Sequence, residues 1–456
     1  MSVFRSYDIR GIYPSEIDTE FARTLGVALG KHFLALPDHA GKSSLHFVIG
    51  RDMRQSATAC APALIDGLRR AGHRVTDIGM VTTPCLYFAV QRLDADGGVM
   101  CTASHNPAQY IGFKVCRELA IPIGYDAGLK DVEKIMGQPA PDAPRGELTA
   151  VNLDDDYLKF LAGLATDLRP IVVAVDGSNG MAGKYIERLF SNFPCKLDGF
   201  YLEPDGTFPN HEADPSKVKN LKDVGDRVRA IGAAAGLCLD GDGDRLGVVD
   251  EKGAPVRGDL LAALMARDAL DAHPGKAAAY DLRSSKVLRE VIHEAGGRPL
   301  RSKVGHAHVK KQMKEEDACF GSELSGHFYF RLTDRSTYFA DSGLVALVRM
   351  LAILSRTDRP LSQLIAPLGK YAHTGEINFH IENAPAALEA IREAFADGKQ
   401  DDLDGVSVEY ADWWLNVRAS NTEPLVRLTL EGDTPTARDA GLERVLAVLS
   451  RFGSRE

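Results

Sequence analysis

Three times along this chain of 456 residues, a short continuous apolar run gives way to a polar loop and then to a helix-patterned stretch. Phe47-Val48-Ile49-Gly50 leads into Arg51-Asp52 and a helix through Leu64 to Ala71. Ile171-Val172-Val173-Ala174-Val175 leads into Asp176-Gly177-Ser178-Asn179-Gly180 and a helix to Leu189, and Ala277 to Tyr280 leads into Asp281-Leu282-Arg283-Ser284-Ser285 and a helix through Val291. A strand that is apolar throughout needs cover on both faces, so the pattern predicts α/β units with mixed, largely parallel sheets. The last segment reads differently. A strand near Glu376–His380 and a helix from Ala386 to Phe395 come first; further strands and a final helix through Val445 to Leu449 follow. Val426, Leu428 and Leu430 alternate there with Arg427, Thr429 and Glu431, which predicts a strand wet on one face and a smaller α+β domain.

At roughly 150 residues per domain the length calls for three to four domains. The Pro-rich stretch Gly137–Gly146 is the clearest linker, with further boundaries at Glu251-Lys252-Gly253 and Pro367-Leu368-Gly369-Lys370. The predicted domains are therefore 1–146, 147–253, 254–368 and 369–456. Net charge is -9 with Lys and Arg scattered, which argues against a nucleic-acid or membrane-surface role. Seven cysteines, without a Cys-x-x-Cys and mostly inside apolar runs (Cys101, Cys116, Cys238), predict free thiols in a reducing cytoplasm. Met1-Ser2-Val3-Phe4-Arg5 lacks the apolar core of a signal peptide, and the most apolar helical run, Leu344–Leu354, is interrupted by Arg349 and too short to span a bilayer.

Four loops carry chemistry. Thr102-Ala103-Ser104-His105-Asn106-Pro107 follows the strand Gly97–Cys101, where ligands gather in open α/β sheets. Ser104 reads either as a helix cap or as a covalent carrier; Gly-x-Ser-x-Gly is missing, and His105, directly adjacent, is expected to be poorly placed as its base. Leu239-Asp240-Gly241-Asp242-Gly243-Asp244-Arg245 sets three carboxylates at alternate positions, a repulsive arrangement that a divalent cation neutralises. Glu251 stands where the last ligand of an EF-hand would, but Arg245 occupies the position that demands glycine, and strand-like flanks replace the helices. Gly321-Ser322-Glu323-Leu324-Ser325-Gly326-His327 offers a carboxylate and a hydroxyl at alternate positions, able to point the same way and grip neighbouring sugar hydroxyls, or else a cap and surface turn. Arg418-Ala419-Ser420-Asn421-Thr422-Glu423-Pro424 offers fork donors, hydroxyls and successive N–H groups as a phosphate cradle, or an ordinary turn. His306 and His308 have no companion ligand nearby for structural zinc.

In order and spacing these loops, together with Tyr7-Asp8-Ile9-Arg10-Gly11, resemble the α-D-phosphohexomutase family in its phosphomannomutase/phosphoglucomutase branch, over essentially the whole chain. The resemblance implies three related α/β domains and a smaller C-terminal α+β domain around a central cleft, each giving one loop. It implies Ser104 as the phosphoserine, with Asp240, Asp242 and Asp244 holding Mg²⁺ with help from the phosphate on Ser104. Glu323 and Ser325 would bind sugar hydroxyls, and Arg418, Ser420, Asn421 and Thr422 the phosphate that is not transferred. Arg10, Lys114 in Gly112-Phe113-Lys114, and His327 match positions near the phosphoserine, Lys114 or His327 being the proton carrier; Arg245 and His306 match further cleft positions. Relatives often carry lysine where Arg283 stands, a change that keeps charge but alters contact geometry.

The implied reaction is hexose 1-phosphate to hexose 6-phosphate, of mannose, glucose or both, with glucose 1,6-bisphosphate or mannose 1,6-bisphosphate as intermediate and activator. The enzyme is expected to be a cytoplasmic monomer acting on small hexose phosphates. Closure of the C-terminal domain over the bisphosphate, with Gly369 near the hinge, is expected as well. Leu324 fits the mannose/glucose branch, whereas phosphoglucosamine mutases usually have Gln there and Ser in place of Thr102. A phosphoglucosamine mutase, a phosphosugar phosphatase and a non-catalytic sugar-phosphate binder are the alternatives.

Overall fold

The structure is a computed structural model that describes residues 2–420 and 425–455. The chain forms two compact units, Met1–Val256 with Ser325–Ser362, and Arg257–Leu324 with Gln363–Glu456.

The first unit carries a six-stranded sheet in the order Ile9–Ile12, Tyr110–Arg117, Gly97–Cys101, His46–Arg51, Arg74–Met80 and Leu148–Ala150. The last four strands are mutually parallel, and Tyr110–Arg117 returns antiparallel beside Gly97–Cys101. Gly97–Cys101 is buried along its whole length, as a central strand covered by helices must be. In a second sheet of this unit Val172–Asp176 lies between Lys196–Phe200 and the central strand Ala235–Leu239, parallel to both. Ala235–Leu239 then pairs antiparallel with Leu246–Val249, so the aspartate triplet is the turn of a hairpin, not an EF-hand loop between helices. The apolar run from Leu344 forms the buried helix Gly343–Ser355.

In the second unit Ala277–Asp281 lies parallel to both Arg298–Ser302 and Phe320–Ser322. The C-terminal part is a six-stranded antiparallel sheet, Lys399–Asp401, Val406–Glu409, Trp413–Ala419, Leu425–Gly432, Ala372–Ile381 and Gly453–Arg455, with helices Ala384–Ala394 and Pro435–Leu449. Its core gathers Phe379, Leu415, Val426, Leu428 and Leu430 against Ile391 and Val445. One expectation needs correction. The strand Leu425–Gly432 is not wet on either face: Thr429 and Glu431 are buried and Arg427 is half-buried. Polar partners cover that face, since Glu431 accepts hydrogen bonds from Trp414 Nε1 and the Lys286 N–H, both at 3.0 Å. Alternation reports the two faces of a strand but not what lies over the polar one.

All seven cysteines are free and buried. Residues 137–145 are exposed and irregular in the region read as a linker. No helix among the described residues is long and apolar enough to cross a membrane.

Candidate functional site

Ser104 sits one loop past the carboxyl end of Gly97–Cys101, with its backbone in the left-handed region at φ 52°. An L-residue other than Gly or Asn pays strain there, so the loop must be held from outside. Two buried residues hold it. Thr102 Oγ1 donates to Asp52 Oδ2 at 2.6 Å and accepts the Ser104 N–H at 2.9 Å. Arg54, 1% exposed, donates to the carbonyls of Ser104, Asn106, Pro107 and Tyr110. Its Nε also reaches Asp52 at 3.2 Å. Sequence reasoning passed over Arg54, although Arg51-Asp52 at a strand end was the signal to follow. Lysine cannot satisfy this fan of acceptors, so Arg54→Lys is expected to destabilise the protein by about 3 kcal/mol, read by urea unfolding.

The Ser104 hydroxyl, 2% exposed, donates to Asp240 Oδ2 at 3.0 Å. Its Oγ also lies 3.3 Å from His105 Nδ1, so the neighbouring histidine, expected to be out of position, is brought to it by the left-handed turn. Asp240 shapes its own loop: its Oδ1 accepts the N–H groups of Gly243, Asp244 and Arg245 at 3.0–3.1 Å. Gly241 is required by close approach, because a Cβ there would stand 2.5 Å from the Ser104 carbonyl oxygen.

The three aspartates are 0–1% exposed and their oxygens lie close enough together to ligate one ion. Burial, and then the charges of Asp244 and Asp242, push the Asp240 carboxyl well above its ordinary range. Burial would raise Asp244 too, but Lys114, His327 and Arg245 overcome it and hold that carboxyl well below. Lys114 Nζ donates to Asp242 Oδ2 at 2.7 Å and Asp244 Oδ2 at 2.5 Å. Asp242 Oδ1 and Asp244 Oδ1 are buried without a hydrogen-bond partner among the described residues, which is what an acidic cluster shaped for a cation leaves open. The residues fit a divalent metal.

Around this centre, Arg10 donates to Asn106 Oδ1 at 2.6 Å and pairs with Asp8. His327 Nε2 accepts from Arg245 Nε at 3.2 Å and lies 3.4 Å from Asp244, while its Nδ1 bonds the Ser325 hydroxyl at 2.9 Å. Arg245 also faces Asp214 at 3.6 Å.

The second unit holds the remaining candidates. Arg283 bonds Asp281 through Nε at 3.0 Å and through Nη2, and Asp281 also accepts the Leu324 N–H, tying the Arg283 loop to the Glu323 loop. Glu323, 3% exposed, accepts the Gly305 N–H at 2.7 Å at the start of the helix His306–Glu315, placing His306 beside that contact. Arg418 is the penultimate residue of the strand Trp413–Ala419, and the Ser420 N–H bonds the Leu425 carbonyl. Asn421 and Thr422 lie outside the described residues.

Sequence reasoning also missed Glu376. Its Oε2 accepts from Arg418 at 2.7 Å and Arg283 at 3.1 Å, and its Oε1 accepts from Arg427 at 3.0 Å. Gly375, at φ +71°, and a register shift in Ala372–Ile381 aim it there. Burial alone would raise its carboxyl, but Arg283, Arg418 and Arg427 outweigh that and hold it at about 2, against an ordinary 4.5. A depressed folded pKa gives stability that is complete above pH ~4.5 and lost as pH falls toward ~2. The loss is expected to reach about 3 kcal/mol, and Glu376→Gln should flatten that part of a pH–stability profile.

A buried serine hydroxyl against a carboxylate triplet with an ammonium beside it, on an α/β scaffold, is the equipment that metal-assisted phosphoryl transfer requires. Comparison with known proteins makes the assignment particular. The chain matches domain I of phosphoglucomutase/phosphomannomutase over residues 1–140, domain II over 155–253, domain III over 257–371 and the C-terminal domain over 376–447. It is 38% identical to the phosphomannomutase of Methanocaldococcus jannaschii over 99% of this chain and 98% of that one. It is 35% identical to the phosphomannomutase/phosphoglucomutase of Pseudomonas syringae over 98% and 94%. A crystal structure of a phosphoglucomutase/phosphomannomutase family protein from Burkholderia thailandensis superposes with a TM-score of 0.89 at 33% identity, covering 99% and 98%. The chain belongs to the phosphoglucomutase/phosphomannomutase family.

Proposed function

We propose that this protein is a phosphohexomutase that interconverts the 1-phosphate and 6-phosphate of mannose, glucose or both, through a phosphoserine at Ser104. The observation that carries the reading is the 3.0 Å contact of the Ser104 hydroxyl with Asp240 inside a buried carboxylate triplet. The names of the relatives support it, and nothing in them favours a phosphoglucosamine mutase.

In the first step the bond between phosphorus and Ser104 Oγ breaks and a bond to the free sugar hydroxyl forms, giving a hexose 1,6-bisphosphate and a free Ser104 hydroxyl; in the second step the bond from the other phosphorus to its sugar oxygen breaks, that group passes to Ser104 Oγ, and the sugar oxygen leaves as a hydroxyl. The hydroxyl proton goes to His327 or Lys114. Lys114 is held as an ammonium by Asp242 and Asp244, which favours His327 as acceptor. Asp240, Asp242 and Asp244 would hold Mg²⁺, which supplies charge neutralisation around the moving phosphoryl group. Arg10 and Arg245 steady the oxygens around Ser104, Glu323 and Ser325 bind sugar hydroxyls with His306 nearby, and Arg283, Arg418 and Ser420 hold the distal phosphate, with Asn421 and Thr422. Seven free buried thiols support a reducing, cytoplasmic setting.

The test is a mutase assay with Mg²⁺ and a trace of glucose 1,6-bisphosphate, offering glucose, mannose and glucosamine 1-phosphates in parallel. Conversion of glucose or mannose 1-phosphate is expected. A folded protein that converts none of them, or only hydrolyses them, would refute the reading.

A further inference from the structure

The second unit contains a carboxylate where a phosphate clamp has least obvious use for one. Arg418 and Arg283, with side chains 4% and 6% exposed, both donate to the same oxygen of Glu376, and Arg427 donates to the other. Two guanidinium groups converging on one oxygen is also how a phosphate oxygen is bound. Glu376 therefore already occupies the donor geometry that an incoming phosphate needs. Glu376 adds its negative charge to that of Asp281, which already pairs with Arg283, so an arriving dianion meets a weaker field than it would without the Glu376 carboxylate. In a buried setting that difference is little screened by salt.

We propose that Glu376 is a positioning residue that deliberately weakens the phosphate clamp through Arg418 and Arg283, so that a bound phosphate ester can leave or turn around. The inference rests on the assignment of Arg418 as the distal-phosphate ligand. Its chemical rationale is that a reaction run through a bisphosphate needs each phosphate to occupy the clamp in turn. A clamp without the Glu376 countercharge would hold the first one too tightly. Gly375 and the register shift lie immediately before Glu376, which stands opposite Thr429 in the ladder with its carboxylate at the arginines.

Glu376→Gln tests it. The amide keeps the shape and one acceptor oxygen, so the arginines retain an anchor while the opposing charge disappears. Inorganic phosphate, titrated calorimetrically into the whole protein, is expected to bind at least tenfold more tightly to the variant. For turnover, KM for hexose phosphate should fall while kcat falls with it. A role confined to holding the fold would lower stability without tightening phosphate. If phosphate binds the variant equally or more weakly, Glu376 organises the clamp instead, and the proposal is overturned. Should the variant unfold on its own, phosphate is expected to raise its melting temperature by more than it raises that of the unaltered protein; no such excess overturns the proposal. Glu376→Asp, which keeps the charge but withdraws it by one methylene, is expected to shift phosphate affinity in the same direction by about threefold. Phosphate binding reads the clamp without turnover, so failure of the mutase assay alone leaves this test standing.

Discussion

Replacing Ser104 with alanine is expected to cut turnover of hexose phosphates by at least about a thousand-fold, because it removes the hydroxyl proposed to carry the phosphoryl group. The fold should survive. The hydroxyl contributes one neutral hydrogen bond to Asp240, worth about 1 kcal/mol, and the loop is held by Arg54 and Thr102 through backbone atoms that alanine retains. The left-handed backbone at position 104 costs alanine roughly what it costs serine. Circular dichroism and urea unfolding should therefore change little while the assay falls to background. An alanine variant with wild-type turnover would exclude a phosphoserine at this position.

Removal of Lys114 is expected to have a large effect on stability. Its ammonium bonds Asp242 and Asp244 at once, and those carboxylates are 0% and 1% exposed. Lys114→Ala takes away the cation and leaves the anions buried, a change that costs about 3 kcal/mol. In a protein of 456 residues that corresponds to a melting temperature lower by roughly 3 °C when no divalent metal is present. Mg²⁺ should recover more of that loss in the variant than it adds to the unaltered protein, since one cation substitutes for another beside the same oxygens. A variant whose melting temperature ignores Mg²⁺ would remove the aspartate triplet as the metal site.

The stretches that sequence read well were those whose signal is local. Gly97–Cys101, the strands near Phe47, Val172 and Ala277, and the strand flanks of the aspartate triplet are fixed by runs of apolar residues with clear ends. The buried state of the seven cysteines follows from the same runs. The polar face of Leu425–Gly432 was misread, because what covers Glu431 comes from Trp414 and Lys286, the latter 145 positions away from Glu431. The 3.3 Å contact of His105 Nδ1 with the Ser104 hydroxyl was not legible either, because the relation between neighbouring side chains depends on a backbone angle that composition does not reveal.

By itself, then, the sequence determined which residue types stand in which loops, and in which order the α/β units carry them. Apolar periodicity and loop chemistry are properties of neighbours, and the chain order preserves them. Tertiary structure alone decided that Arg54 grips the serine loop from 50 residues away, that Lys114 bridges two aspartates 128 and 130 positions distant, and that Glu376 gathers Arg283, Arg418 and Arg427. These are buried charges, and a buried charge must find its counter-charge wherever the fold brings one within reach.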